Sequence, residues 1–145
     1  MTAEELWKAY ITENNLADCE YEAWAFGVDA DELAQLVVSG EKTATASAYP
    51  LYAVDSEELP KVGEYSVILD AKENAVCVVR TQKVTVVPFH EVTAEHAFKE
   101  GEGDKSLGYW RQVHEEVFTQ WMGEAGLEFS LDMMVVCEEF SVVYR

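Results

Sequence analysis

The feature that most restricts the fold is a long run of strand-forming residues in the middle of the chain. Residues 75–87 are rich in valine, and Val76, Val78, Val84 and Val86 recur with the alternation of a β-strand. Pro88 ends this run, because proline cannot donate a hydrogen bond to a sheet ladder. The chain is therefore expected to fold around a sheet that contains at least one long strand.

Other segments predict further strands and a set of helices outside them. Residues 65–69 and 134–144 read as strands, and residues 42–48 have weaker strand character. Helical spacing and capping residues predict helices near residues 2–14, 29–40, 93–99 and 105–123, with Asp29 and Asp104 as candidate caps. We expect a loop around Trp24, and a long loop with at most one helical turn before Pro60. Without regular βαβ alternation, this order predicts an α+β domain: a small barrel or curved sheet flanked by helices.

Composition narrows the classes of function. The 145 residues suit one domain, and 49% hydrophobic residues are too many for a disordered chain. The 28 acidic and 10 basic side chains give a net charge of −18, which disfavours DNA and other long polyanions. No apolar run could span a membrane, and the acidic N-terminus does not resemble a signal peptide. We therefore expect a cytoplasmic protein that contacts no membrane.

The charge is uneven along the chain. Residues 61–111 hold seven of the ten basic residues against eight acids, whereas both ends are strongly acidic. An anionic ligand would meet this middle segment, or Lys42 just before it. The three cysteines, Cys19, Cys77 and Cys137, show no disulfide or zinc spacing, so no metal and no cofactor is expected.

Two segments contain candidates for chemistry. Residues 40–47 place Lys42 and the hydroxyls of Thr43, Thr45 and Ser47 among small side chains that leave room for a ligand. Residues 100–104 form an acidic glycine loop in which a carboxylate surrounded by like charges could act as an acid or base; its members are Glu100, Glu102 and Asp104.

Aromatic and basic residues near these segments are candidates for ligand contact. Trp24 and Phe26 could stack on a base or anchor their loop. Arg111 could clamp a phosphate or pair with Glu115 one helical turn later. Tyr49 follows residues 40–47 closely enough to line the same pocket.

Several blocks together resemble one family. In chain order they are Trp24-Ala25-Phe26-Gly27, residues 40–45, 59–63, 87–89 and 100–104, Ser106-Leu107-x-x-Trp110-Arg111, Phe129-Ser130-x-Asp132-Met133 and the closing strand 135–144. This set is similar to the ASCH domain family, which shares the small barrel of the PUA-like RNA-binding domains. The longer bacterial type fits best, which implies a single domain over residues 1–145 with an extra helix within residues 1–20.

The resemblance implies a site and an activity. One branch of the family removes acetyl from the exocyclic amine of acetylated cytidine, using a lysine, a threonine and a glutamate that match Lys42, Thr45 and Glu100. In that scheme Thr45 attacks, Lys42 acts as its base if burial favours the neutral amine, and Glu100 carries the proton to the leaving amine. Glu102 is the alternative candidate for the role of Glu100. In a regular strand Lys42 and Thr45 would face opposite sides, so the scheme requires a bend, or a strand that starts after Lys42.

The sequence also allows other functions. The expected partner is a small nucleoside-like ligand or a short RNA, and the oligomeric state is undetermined. The alternatives to a hydrolase are a non-catalytic RNA-binding or regulatory module and a ribonuclease, both of which suit a PUA-like barrel. The acidic N-terminal 35 residues could instead contact a basic protein partner.

Overall fold

The fold is built on one curled sheet of five strands. The computed structural model describes residues 1–145. The strands are β1 (Glu22–Ala25), β2 (Ala44–Ala48), β3 (Tyr65–Leu69), β4 (Ala75–Pro88) and β5 (Met134–Tyr144). Their order in the sheet is β1-β3-β4-β5-β2; β1 and β3 are parallel and all other neighbours are antiparallel. The predicted α+β class with a curved PUA-like sheet is confirmed.

Five α-helices surround the sheet. They are α1 (Ala3–Glu13), α2 (Ala30–Ser39), α3 (Tyr49–Val54), α4 (Ala94–Glu100) and α5 (Leu107–Glu124), and a short 3₁₀ helix covers Phe89–Glu91. Thr2 and Glu5 cap α1 reciprocally, and the hydroxyl of Thr93 caps α4 by accepting from the His96 amide. None of these helices combines the length and the apolar character needed to cross a bilayer.

Alternating side chains of β3 and β4 are buried on opposite faces of the sheet. Val67 and Val78 are fully buried against α1, where Trp7 packs on them. The adjacent residues Ile68 and Val79 point the other way and are buried against α2. Because both faces of these strands are covered, their near-continuous apolar sequence is explained.

A third cluster joins α4 and α5 to β5. Val135 and Cys137 pack on helix residues that include Ala97, Trp110 and Phe118. The register between β4 and β5 shifts between Thr81 and Lys83, an irregularity of the kind that bends a strand pair. Strand β2 lies at the edge of the sheet beside β5, so the residues just before β2 can reach α4.

Three local predictions were wrong. Trp24 lies in strand β1 rather than in a loop, because pairing with β3 supplies hydrogen bonds that the local sequence does not reveal. Asp29 precedes α2 but makes no capping bond, since its backbone is left-handed at φ 45°. Asp104 does not cap α5: the Ser106 hydroxyl does so by accepting from the Tyr109 amide, and Asp104 accepts from the Ser106 amide at 2.9 Å.

Candidate active site

Lys42 lies before the edge strand, not within it. Strand β2 begins at Ala44, and the Lys42 amide instead donates to the Leu36 carbonyl at 3.0 Å. Lys42 and Thr45 both line one cleft. Because β2 starts after Lys42, the alternation of a regular strand does not force Lys42 and Thr45 onto opposite sides.

The segment before β2 is docked on the end of α4. The Thr43 amide donates to the Lys99 carbonyl at 2.7 Å, and this satisfies an acceptor that the helix end leaves free. Gly101 follows the helix at φ +70°, and a side chain there would collide with the carbonyl oxygen of Glu41. Because only glycine fits, the two segments approach closely enough to bring Lys42 beside Glu100.

The Lys42 ammonium is enclosed by two carboxylates. Its Nζ atom lies 2.7 Å from Glu102 Oε2 and 3.3 Å from Glu100 Oε1, and the Lys42 side chain is only 1% exposed. The ring of Phe26 covers the same Nζ at 5.2 Å from its centroid. Nζ donates hydrogen bonds to both carboxylates, so the structure gives it the role of a donor at this site.

Glu100 is the centre of a buried polar network. Its Oε2 atom accepts from Nε2 of His96 at 2.8 Å and from the indole N–H of Trp110, while Oε1 faces Lys42 and, at 3.5 Å, Nε2 of His114. Burial acts to raise the pKa of Glu100, but Lys42, His114 and His96 outweigh it and hold that pKa well below its ordinary value. Glu100 is therefore a fixed anion.

His114 is held in a geometry that favours its doubly protonated form. Its Nδ1 atom donates to the Trp110 carbonyl at 2.8 Å, and its ring stacks on Trp110 with 4.2 Å between centroids. Its Nε2 atom faces the Glu100 carboxylate, which is also an acceptor. Burial acts to lower the pKa of His114, but the interactions with Glu100 outweigh burial and raise it.

Thr45 has a different carboxylate as its cross-strand neighbour. It pairs directly with Glu138 of β5, and both residues line the cleft. Glu138 Oε2 accepts from the Thr81 hydroxyl at 2.6 Å. Burial raises the pKa of Glu138, and the nearby Glu64 and Glu22 raise it further, although the Thr81 hydrogen bond offsets part of this rise.

The cleft has a volume of about 690 Å³, within the usual range of ligand pockets. Aromatic side chains form part of its wall; they are Trp24, Phe26, Tyr52, Phe118 and Trp121. Its carboxylates outnumber its cationic groups, Lys42 and the His114 imidazole; the carboxylates are Glu22, Glu57, Glu58, Glu64, Glu100, Glu102 and Glu138. A second groove of about 520 Å³ adjoins it past Tyr52 and Trp121. The site is therefore roomy, partly aromatic and strongly negative.

The structure brings together seven of the predicted site residues. Those lining the cleft are Trp24, Phe26, Lys42, Thr45, Ser47, Glu100 and Glu102. Four others lie outside its lining; they are Thr43, Tyr49, Asp104 and Arg111.

Each residue outside the cleft has another environment. Thr43 is bound to α4, and Tyr49 starts α3 with 44% of its surface exposed. Asp104 is bonded to the backbone of its own turn. Arg111 is exposed, donates to the His90 carbonyl at 3.3 Å and forms no ion pair with Glu115.

Sequence reasoning missed the partners of Glu100 and Thr45. His96 precedes Glu100 by one helical turn, a spacing that indicates contact on one helix face. The same spacing joins Trp110 to His114. Glu138 is a carboxylate between Val136 and Phe140 on a strand face that otherwise reads as apolar, and that conflict was the available signal. No set of three or more side chains is arranged to hold a metal ion.

Comparison with known proteins gives consistent matches. The sequence model described as the ASCH domain matches residues 22–144. The crystal structure of an ASCH domain from Lactobacillus crispatus is 30% identical, with a TM-score of 0.91 over 98% of this chain and 94% of that one. A protein from Enterococcus faecalis is 35% identical, with a TM-score of 0.89 over 97% and 87% of the two chains.

A more distant match extends only to the fold. A hypothetical protein of known structure is 17% identical, with a TM-score of 0.56 over 86% of this chain and 100% of that one. No curated protein matches the chain.

Proposed function

The chain belongs to the ASCH domain family, and from the geometry of its cleft we propose that it is a small hydrolase of a modified nucleoside or nucleotide. The reaction would be removal of an acyl group from an exocyclic amine, as in the acetylcytidine amidohydrolases that the sequence resembles. The observation that carries this proposal is the buried contact of Lys42 with Glu100 in the cleft that Thr45 also lines.

The environment of each residue suggests its role. Thr45 is the nucleophile in this proposal: it lines the cleft beside Lys42, and Glu138 is its cross-strand neighbour. Lys42 is an electrostatic group in this proposal rather than the base: its ammonium stabilises negative charge that develops on the carbonyl oxygen. Glu100 fixes Lys42 in place, since a carboxyl held as an anion has no proton to deliver.

The lining of the cleft suggests which ligands it accepts. Trp24 and Tyr52 offer faces on which a base can stack. The excess of carboxylates would repel a phosphate, so an unphosphorylated nucleoside is favoured over a nucleotide or RNA. We also propose a cytoplasmic location, which the three free cysteines fit.

The proposal is tested with purified protein and cytidine acetylated on its exocyclic amine. Wild type should release acetate, and Lys42→Met should lower kcat at least about tenfold, because one charged donor at the oxyanion is worth that much or more. Lys99→Met is the matched control, since Lys99 pairs with Glu139 outside the cleft, and it should retain activity. Lack of acetate release by wild type would contradict the proposal.

RNA is the alternative ligand that this experiment must separate. Salt-dependent binding of RNA, or RNA cleavage that depends on Lys42, would replace the hydrolase proposal by the RNA-binding module or the ribonuclease.

A further inference from the structure

Glu138 is a semi-buried carboxylate that the three-residue scheme leaves without a role. Strand β5 is otherwise largely apolar here: Val136 and Phe140, on the same face as Glu138, are 1% and 3% exposed. Glu138 forms no salt bridge, and its only side-chain hydrogen bond is the one from Thr81 to Oε2. The Oε1 atom is therefore free for another donor. A carboxylate kept at such a site without a cation is costly, which points to a use.

The sheet register places the Thr45 hydroxyl as the candidate for that second donor. Thr45 and Glu138 are directly opposite in an antiparallel pair, so their side chains leave the same face with Cβ atoms about 4.5–5.5 Å apart. A glutamate side chain is long enough to span such a gap. The Thr81 hydrogen bond fixes one carboxylate oxygen, and this orients the other.

We propose that Glu138 is the general base that takes the proton of the Thr45 hydroxyl. This inference rests on the proposed function, and it assigns the base that Lys42, enclosed by carboxylates, does not provide. The charged groups facing Glu138 are Glu64 and Glu22. Both are acidic, and like burial they make Glu138 a stronger proton acceptor.

The proposed reaction has two stages, acylation of Thr45 and hydrolysis of the resulting ester. The Thr45 Oγ atom attacks the amide carbon while its proton moves to Glu138. The carbon–nitrogen bond then breaks, and Glu138 returns the proton to the leaving nitrogen, which leaves an acyl ester on Thr45 and a free amine. Water next attacks the ester carbon and gives one proton to Glu138. Glu138 passes that proton to Thr45 as the carboxylic acid departs, which restores both residues.

The first test is the pH dependence of hydrolysis in Glu138→Gln, an isosteric change that still accepts the Thr81 hydrogen bond. Glu139→Gln is the matched control: it is the next residue, faces the other side of the sheet and pairs with Lys99 and Lys83. Glu138→Gln should lose at least about 100-fold in kcat and lose the acidic limb of the pH profile, while Glu139→Gln keeps both. Equal profiles in the two variants would overturn the inference and leave the proposed hydrolase standing.

A second readout needs no substrate. Thr45→Cys in a Cys19→Ser background places a thiol opposite Glu138, and its alkylation by iodoacetamide is followed against pH. Burial raises the pKa of Cys77 to about 11 and of Cys137 to about 12, so neither native thiol interferes.

The measured quantity is the rate at which iodoacetamide alkylates the introduced thiol at pH 7. Adding Glu138→Gln should speed alkylation of the introduced thiol about tenfold, because removing an adjacent carboxylate charge favours the thiolate. Glu139→Gln should have no such effect. If Glu138→Gln changes nothing, the carboxylate does not face position 45 and the inference fails, whether or not wild type hydrolyses acetylated cytidine.

Discussion

Lys42 and Glu100 are 58 positions apart in sequence, yet Nζ of the lysine lies 3.3 Å from Oε1 of the glutamate and both side chains are almost fully buried. This contact joins the segment before β2 to the end of α4. It is also the point at which the stability of the fold and the proposed chemistry depend on the same atoms.

Removing the lysine should destabilise the protein strongly. Lys42→Met leaves Glu100 and Glu102 without their cation in a buried site, and breaking such a pair costs about 3–5 kcal/mol. Urea unfolding at pH 7 measures the change. Lys99→Met, whose ion pairs are partly exposed, should cost far less. Equal losses in the two variants would show that the Lys42 network contributes little.

Stability should depend on pH in two opposite ways. The folded-state pKa of Glu100 is below its ordinary 4.5, so its contribution is fully present above about that pH and is lost as the pH falls through the folded value. The folded-state pKa of His114 is above its ordinary 6.5, so its contribution is present below that pH and is lost as the pH rises through the folded value. These two groups favour maximal stability between pH 4.5 and 6.5.

Unfolding free energies across a pH series test this assignment. Glu100→Gln should flatten the decline on the acidic side, and His114→Gln should flatten part of the decline on the alkaline side. Glu138, whose folded-state pKa is also raised, acts in the same direction as His114 but from a lower pH, because its contribution is lost as the pH rises from its ordinary 4.5 through the folded value. Slopes identical to wild type in both variants would show that these groups do not set the pH dependence.

Gly101 should be far less replaceable than Gly40. Both follow helices at positive φ, so alanine costs about 1–2 kcal/mol of backbone strain at either position. Only at Gly101 would the new side chain meet the backbone of Glu41, whereas nothing lies within 4 Å at Gly40. Gly101→Ala should therefore be the less stable variant and should displace Lys42. A displacement of about 1 Å can cost about 100-fold in rate.

The two glycine variants are compared by thermal unfolding and by hydrolysis rate. Gly40→Ala should keep near-wild-type activity once it is folded. Similar stability and activity in the two would contradict a requirement for close approach at Gly101.

The charge of the cleft predicts discrimination against phosphate. A nucleoside should bind at least about tenfold more tightly than its 5′-phosphate at low salt, because carboxylates dominate the lining. Added salt should narrow the difference, as screening weakens repulsion. The double variant Glu22→Gln/Glu64→Gln should also show a smaller difference between the two affinities. Calorimetric titration measures both affinities, and tighter binding of the phosphate would contradict this account.

The fold was predictable where patterns were local and long. The alternating valines of β4 and the capping residues of α1 and α4 identified their elements directly. Strand β1 was not predictable in this way, because its four residues depend on pairing with β3, 44 positions later at Glu22 and Ser66. Local sequence contains no information on that register.

The site was predictable only in part, because it too depends on contacts that the local sequence does not specify. The resemblance led to Lys42, Thr45 and Glu100, which line one cleft. Their environments depend on contacts between different elements, such as the donors that Lys42, Trp110 and His114 bring to Glu100 and the cross-strand position of Glu138. These contacts are what move the proposed role of base from Lys42 to Glu138.

The proposed hydrolysis is tested most directly by the rate at which acetate is released from cytidine acetylated on its exocyclic amine. Wild type should hydrolyse the substrate, and Thr45→Ala should be at least about 1,000-fold slower, because removal of a nucleophile removes the covalent route. Thr119→Ala, an exposed threonine on α5, should match wild type. No hydrolysis by wild type, or equal rates in wild type and Thr45→Ala, would contradict the account.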